Sequence, residues 1–198
     1  MKFCSECGSN VSQVVPVGDN RPRFVCANCQ TIHYQNPKMV VGCLPEWEDK
    51  VLLCKRAIEP QYGKWTLPAG FMENGESTLQ GALRETLEEA GARVEISDLF
   101  TLYNLPPISQ VYLMFRAKLL DLDFSAGVES LEVTLFTEEE LPWSEFAFLT
   151  IEKTLRQYFE NCISFKFELH ISDIERRIRS FCLGFLLIAN VVYGLLLS

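Results

Sequence analysis

The chain has 198 residues, of which 48% are hydrophobic and 22% charged, and its formal net charge is −8. This length and composition suit one folded domain with an appendage and exclude a chain that is disordered throughout. The acidic balance argues against a protein whose main partner is nucleic acid, because phosphate backbones reward clustered lysine and arginine. The N-terminus enters polar residues without the apolar run of a secretory signal, so we expect a cytoplasmic protein.

Eight cysteines are present, and in a reducing compartment paired cysteines more often hold metal than form disulfides. Cys4 with Cys7 and Cys26 with Cys29 form two C-x-x-C turns whose separation is typical of a zinc site. We therefore predict a structural Zn²⁺ ribbon over residues 1–36, with two short strands joined near Gly18. A redox C-x-x-C is the alternative, disfavoured because two such pairs occur together. The other four are expected to be ordinary buried residues: Cys43, Cys54, Cys162 and Cys182.

Residues 37–160 show the pattern of a second, larger domain. Apolar runs bounded by turn residues predict strands over residues 38–47, 50–57, 65–71, 109–122 and 131–136. Apolar periodicity predicts two helices, from about 77 to 90 and from about 147 to 160. Strands interleaved with two helices indicate an α/β (α+β) fold in which a mixed sheet carries helices on its faces.

The first of these helices has well-defined ends. Ser77 and Gln80 form a capping box at its start, and Gly91 is a natural residue to follow its end. Leu79, Leu83, Leu87 and Ala90 lie on one side of the helix, and we expect that side to pack inward.

The opposite side of the same helix carries Glu85, Glu88 and Glu89. Like charges at i,i+4 destabilise a helix, so three close carboxylates indicate either a solvated acidic face or a bound cation. Carboxylate oxygens select Mg²⁺, Mn²⁺ or Ca²⁺. Arg84 lies four residues before Glu88, a spacing that allows an ion pair.

The wider sequence decides between these readings. Residues 70–92, GFMENGESTLQGALRETLEEAGA, resemble the signature box of the Nudix hydrolase family in every charged and glycine position, with Thr86 and Ala92 as mild departures. The ribbon, IHYQNPK, KWTLPAGFMENGE and LEVTLFTEEELPW extend the resemblance over residues 1–160. They are similar to the ribbon-bearing Nudix proteins related to ADP-ribose and FAD pyrophosphatases, whose fold is an α/β/α sandwich.

The resemblance implies water attack on the pyrophosphate of a nucleoside diphosphate linked to another moiety. It implies four ligands for a catalytic Mg²⁺ or Mn²⁺: the Gly70 carbonyl and the carboxylates of Glu85, Glu88 and Glu89. Such a cation neutralises the pyrophosphate and lowers the pKa of bound water. Glu76 is expected to be an outer ligand or to bind a second cation, and Arg84 to orient the glutamates.

Several contacts stay open at this stage. The general base is expected in the box or in a later loop, where the candidates are Glu129, Glu132 and Glu138 to Glu140. Arg56 is a candidate for the phosphate path, against an ordinary exposed arginine. Phe71, Tyr103 and Tyr112 are candidates for stacking on a base, against use in the core.

Substrate choice is also open. The block Ser-Gln-Pro-Trp-Pro-Phe-Pro-x-Ser that marks NADH pyrophosphatases is absent after the box, so ADP-ribose or FAD is favoured over NADH. A non-catalytic nucleotide sensor and an RNA-processing hydrolase are alternatives that the intact box and the acidic charge disfavour, and we expect no nucleic-acid partner. Relatives are often dimers, which makes a homodimer an open option.

Residues 161–198 form a tail of different character. Residues 180–198 contain no charged side chain, and Arg176, Arg177 and Arg179 precede them. As a helix this stretch is ~28 Å long, enough for a membrane anchor with the basic residues on the cytoplasmic side. A helix buried against the domain or a partner, and a tail of aberrant coding origin, are the alternatives. The family resemblance does not extend to this segment.

Overall fold

The computed structural model describes residues 1–175, so the anchor predicted for residues 180–198 lies outside the described residues. The N-terminal ribbon is a small antiparallel sheet of β1 (Val11–Val14), β2 (Arg23–Cys26) and β3 (Ile32–His33). The two strands expected on either side of Gly18 are present. β3 is an addition that its two-residue length concealed from the sequence pattern.

The larger domain is built on one mixed sheet and two helices. The strands are β4 (Lys38–Trp47), β5 (Lys50–Arg56), β6 (Trp65–Thr66), β7 (Ala69–Phe71), β8 (Val94–Leu105), β9 (Gln110–Leu119), β10 (Ser130–Phe136) and β11 (His170–Asp173). The helices are α1 (Thr78–Ala90) and α2 (Leu149–Ser164), with a 3₁₀ turn at Pro106–Ile108. The order is β10-β5-β4-β9-β8-β11, with β6 beside β5 and β7 beside β4. The β4–β9 and β8–β11 pairs are parallel and the others antiparallel.

The central strands are buried on both faces, and their alternation separates two cores. In β5, Leu52 and Cys54 pack in the core that contains Ala82 and Ala90 of α1. Val51 and Leu53 of the same strand pack on the other face with Ile151 and Leu155 of α2. Each helix therefore covers one face of the sheet, which confirms the predicted α/β/α sandwich.

The inward side of α1 differs from the one predicted, because only Ala90 of the four expected residues is buried. Leu79, Leu83 and Leu87 are 47%, 40% and 55% exposed, whereas the buried residues are Gly81, Ala82, Glu85, Thr86, Glu89 and Ala90. Periodicity identifies which residues share a side of a helix but not which side packs. Here small residues let α1 approach the sheet, and Thr86, at one of the positions that depart from the family pattern, donates its hydroxyl proton to the Ala82 carbonyl (2.8 Å).

The ends of α1 agree with the prediction. The Ser77 hydroxyl accepts the Gln80 backbone N–H at 3.3 Å, and the Gln80 side chain accepts the Ser77 N–H at 2.8 Å. Gly91 closes the helix in the left-handed conformation.

Three differences concern strands and boundaries. The twelve-residue β8 was not predicted, because two register shifts between Ile96 and Thr101 break its alternation. α2 begins two residues later than expected and runs to Ser164. β11 then pairs with β8, so the sheet extends past the expected domain end at residue 160. Neither described helix has the length and hydrophobicity needed to cross a bilayer.

Candidate active site

One edge of the main sheet opens into a cleft of about 1420 Å³. Its floor comes from the end of β5 and the starts of β4 and β9, and its far side from the end of β8 and the residues after β11. The acidic side of α1 forms one wall and the N-terminus of α2 forms another. The cleft is therefore lined both by β4, β5 and α1 and by the later elements β8, β9 and α2.

Two carboxylates of α1 are buried at the base of this cleft. Glu85 is 9% and Glu89 is 7% exposed, while Glu88 lies farther out with an exposed side chain. Glu89 Oε2 accepts the backbone N–H of Ala69 at 3.0 Å. Burial raises the pKa of both carboxyl groups, that of Glu89 to about 7, and the nearby Glu85 charge adds to the rise at Glu89.

Gly70 makes room for the first of these carboxylates. A Cβ at Gly70 would overlap the Glu85 carboxylate. Gly70 itself lies on β7 opposite Val41 of β4. The absence of a side chain therefore lets the Glu85 carboxylate rest directly on the backbone at the predicted ligand position.

Arg84 holds the outer part of the acidic cluster. Its guanidinium donates to Glu76 (2.8 and 3.0 Å), to Glu85 (2.7 Å) and to Glu88 (3.1 Å). A further N–H reaches the Phe71 carbonyl at 3.2 Å. The bonds from Arg84 to Glu76 are the main cause that lowers the pKa of Glu76 to about 2. The sequence predicted a pairing with one carboxylate, and the structure shows the arginine bridging three.

The acidic cluster fits a divalent cation. Glu89 is almost fully buried, yet it forms no ion pair with any of residues 1–175. A buried carboxylate without a compensating cation is strongly unfavourable. Its neighbours Glu85 and Glu88 are also carboxylates, and oxygen donors of this kind suit Mg²⁺ or Mn²⁺.

The four ribbon cysteines converge at a separate site. The sulfurs of Cys4, Cys7, Cys26 and Cys29 all lie within 4.8 Å of one another. The Cys4–Cys29 and Cys7–Cys26 sulfurs are 3.6 and 3.5 Å apart. Zn–S bonds of ~2.3 Å in a tetrahedron place sulfurs ~3.8 Å apart, so this cluster fits Zn²⁺.

Two further features of the ribbon favour metal binding. Hydrogen bonds led by that of Ser9 lower the pKa of Cys7 to about 6, whereas burial raises the pKa of Cys4 to about 11. The Cys7 thiolate is the form that binds metal, and a bound cation would offset the cost of ionising Cys4. The His33 ring lies 3.3 Å from the Cys4 sulfur, a contact that orients a ligand from outside the coordination shell. Of the remaining cysteines, Cys43 and Cys54 are buried as expected, Cys162 is half-buried, and Cys182 lies outside the described residues.

The remaining site candidates divide into two groups. Those that line the cleft are Arg56, Phe71, Tyr112 and Glu129. Tyr103 is 4% exposed and does not line the cleft, which agrees with the alternative use in the core. Glu132 instead pairs with Lys55 on the outside of the sheet, and Glu140 accepts hydrogen bonds from Thr137. Glu138 and Glu139 also lie outside the cleft lining.

Sequence reasoning missed the wall formed by α2. Leu149, Thr150 and Lys153 line the cleft although they read as the start of an ordinary amphipathic helix. One signal was available in the sequence. Phe148 occupies the N-cap position, where Ser, Thr, Asp or Asn is usual, so the first N–H groups of α2 have no capping side chain.

The geometry agrees with comparisons with known proteins. The NUDIX domain family model matches residues 36–159, and the Nudix N-terminal (zinc ribbon) model matches residues 2–35.

The chain belongs to the Nudix family. It is 61% identical to a NUDIX hydrolase of Nitrosomonas europaea, whose crystal structure aligns over 88% of this chain and 100% of that one with a TM-score of 0.84. This Nudix chain is also 30% identical to the ADP-ribose pyrophosphatase of Methanocaldococcus jannaschii, over 63% of this chain and 75% of that protein.

A second group of Nudix relatives is named for a different substrate. The NAD-capped RNA hydrolase NudC of Vibrio atlanticus is 29% identical over 50% of this chain, but the match spans only 34% of that protein. The chain is thus a ribbon-bearing Nudix hydrolase. Nudix enzymes hydrolyse nucleoside diphosphate derivatives with the help of divalent cations.

Proposed function

We propose that the protein hydrolyses the pyrophosphate bond of ADP-ribose, with FAD as the second candidate substrate. The observation that carries this proposal is the set of buried carboxylates on α1 at the base of a cleft of about 1420 Å³. A cleft of this size exceeds what a mononucleotide requires. The archaeal relative named ADP-ribose pyrophosphatase supports the choice of substrate.

In this proposal Glu85, Glu88 and Glu89 hold the catalytic cation, together with the Gly70 carbonyl. When bound, Mg²⁺ or Mn²⁺ neutralises the diphosphate and makes bound water more acidic. Arg84 orients the carboxylates through its bonds to Glu85 and Glu88.

Glu76 has a supporting place in this arrangement. Its carboxylate is occupied by Arg84 and by the Glu73 backbone N–H at 2.6 Å. Both of its oxygens already accept hydrogen bonds, so in this proposal Glu76 acts mainly by holding Arg84 in place.

Glu129 is the best-placed general base. It lines the cleft and acts electrostatically on both Glu85 and Glu89. The preceding loop is held against the end of α1: Gly127 donates its N–H to the Glu89 carbonyl at 3.0 Å, and a Cβ on Gly127 would collide with the Glu88 carbonyl. This anchoring keeps the Glu129 carboxylate close to the cation ligands, as proton removal from an attacking water requires.

A nicotinamide dinucleotide, either free NADH or the NAD cap of an RNA, is the alternative substrate class, favoured by the resemblance to NudC. Against it, β8 and the Pro106–Ile108 turn occupy the region where NADH pyrophosphatases carry their specificity block. The net charge of −8 also disfavours an RNA substrate.

The deciding experiment is a substrate panel with the full chain. ADP-ribose, FAD, NADH and NAD-capped RNA are each incubated with Mg²⁺ or Mn²⁺, and the products are separated by chromatography or ³¹P NMR. We expect AMP and ribose 5-phosphate from ADP-ribose, at the highest kcat/KM of the four. Faster cleavage of NADH or capped RNA would reject ADP-ribose as the substrate. Binding without turnover of any of the four would indicate a nucleotide sensor.

A further inference from the structure

The N-terminus of α2 lines the same cleft as the acidic side of α1. Phe148 at the N-cap makes no side-chain capping bond. Within the described chain, nothing accepts the backbone N–H of Leu149 or of Thr150, and both residues line the cleft. Free N–H groups and the positive end of the helix dipole make such a terminus attractive to anions. Water satisfies many helix ends, so this feature alone assigns no ligand.

Thr150 provides an independent observation. The residue is only 3% exposed, and its buried Oγ1 has no hydrogen-bond partner among the described residues. A buried hydroxyl without a partner costs stability, and native structures seldom retain one without a reason. Thr150 also lines the cleft, so a rotation of its side chain would present this hydroxyl to a group that enters the cleft.

The charges around this terminus favour a negative ligand. Lys153 lies one turn further along the same side of α2, lines the cleft and forms no ion pair with residues 1–175. The Arg56 guanidinium lies 5.3 Å from the centroid of the Phe148 ring, directly before the helix. Glu152 is the acidic residue in the first turn, and Arg156 binds its carboxylate at 2.9 Å.

We propose that the N-terminus of α2 is a phosphate subsite, in which the N–H groups of Leu149 and Thr150, the Thr150 hydroxyl and the Lys153 ammonium bind the phosphoryl group that water does not attack. The proposal rests on the proposed function, because the attacked phosphoryl group is held at the carboxylates of α1. Arg56 connects the two walls: its charge acts on Glu89 and on Tyr112, and its guanidinium contacts the residue that precedes α2.

Binding of a non-hydrolysable diphosphate tests the subsite without relying on turnover. The full chain is titrated with α,β-methylene-ADP in the presence of Mg²⁺ by calorimetry, as wild type, Thr150→Val and Lys153→Gln. Matched controls are Thr134→Val on β10 and Lys166→Gln after α2, two residues that do not line the cleft.

We expect Thr150→Val and Lys153→Gln each to weaken binding about 10-fold, because each removes a hydrogen bond to a charged group. The controls should bind as wild type does. Thr150→Val should melt at or above the wild-type temperature, since valine removes an unpaired hydroxyl while keeping its volume. The effect of Lys153→Gln should shrink as salt is raised, because added ions screen the exposed ammonium.

Three results would overturn the subsite: wild-type affinity in both variants, loss of melting temperature in Thr150→Val with unchanged affinity, or no analogue binding to the wild-type chain. A separate measurement, hydrolysis of ADP-ribose, tests the proposed function. Hydrolysis of ADP-ribose with unchanged KM in both variants keeps the function and rejects the subsite. The expected binding pattern in a chain that does not hydrolyse ADP-ribose keeps the subsite and rejects the function.

Discussion

Replacing Glu89 by glutamine should make the protein more stable without its catalytic cation while removing its activity. Glu89 is 7% exposed and lacks an ion-pair partner in the described chain. Its pKa rises from an ordinary value of 4.5 to about 7. That change corresponds to about 3 kcal/mol, at about 1.4 kcal/mol for each tenfold change in the ionisation constant. Glutamine keeps an oxygen to accept the Ala69 N–H and carries no charge to desolvate.

The sign of the effect depends on pH. Below pH 4.5 the carboxyl group is protonated in the folded and unfolded states alike, so the folded chain bears no penalty. Between pH 4.5 and about 7 the unfolded state ionises first, and stability falls. Above pH 7 both states are ionised and the full penalty applies. In buffer freed of Mg²⁺ and Mn²⁺, Glu89→Gln should therefore gain about 3 kcal/mol at pH 8, roughly 6–12 °C in Tm for a domain of this size, and almost nothing near pH 4.5.

The assay is thermal unfolding at several pH values, with zinc content checked so that the ribbon stays loaded, followed by hydrolysis of ADP-ribose. Adding Mg²⁺ should raise the Tm of wild type more than that of Glu89→Gln, because the variant has lost a ligand. The variant should lose at least ~100-fold in kcat, as expected for a group that supports transition-state charge. Glu95→Gln, an exposed change on β8, is the control. Equal melting curves across the pH range, or wild-type kcat at saturating Mg²⁺, would refute the reasoning.

Three further predictions, which use four variants, test other parts of the structure. Arg84→Lys keeps the charge but cannot bridge Glu76 and two other carboxylates, so both Tm and kcat should fall. Calorimetry measures Tm and the hydrolysis assay measures kcat. Wild-type values of both would contradict the bridging role. Leu83→Gln should change the free energy of unfolding by less than about 0.5 kcal/mol because the leucine is exposed. Ala82→Leu on the buried side should lower the free energy of unfolding by about 1–3 kcal/mol. Urea unfolding gives both values, and the reverse ranking would support the orientation of α1 predicted from the sequence. Cys29→Ser should release zinc and unfold the ribbon. Metal analysis detects the loss of zinc, and proteolysis within residues 1–36 detects the unfolding. A variant that keeps its zinc and resists proteolysis would contradict the four-sulfur site.

Local patterns in the sequence predicted the parts of the site that lie close together along the chain. The caps of α1 at Ser77 and Gly91 are short-range signals, and the structure contains both. The shared side of Glu85 and Glu89 follows from helix geometry alone. The four cysteines converge as their spacing indicated.

Contacts between distant segments were beyond that reasoning. Tyr103 and Tyr112 are paired across β8 and β9 and look alike in sequence, yet only Tyr112 lines the cleft. Tyr103 is 4% exposed, whereas Tyr112 borders the open cleft, and this difference comes from the packing of distant segments. β11 offers four residues with one apolar side chain, Ile171, too little for a pattern. Its pairing with β8 depends on tertiary contacts that no local sequence pattern indicates.

The orientation of α1 has a consequence for how the chain reaches its native state. An isolated copy of this helix would offer a sheet its leucine side, since burying Leu79, Leu83 and Leu87 gives more hydrophobic free energy than burying Glu85 and Glu89. The native docking is the opposite one, so local preference and final structure disagree at this helix, a case of frustration. The native docking therefore depends on the small residues Gly81 and Ala82, which let the helix approach the sheet, and on the bonds of Arg84 to its carboxylate partners.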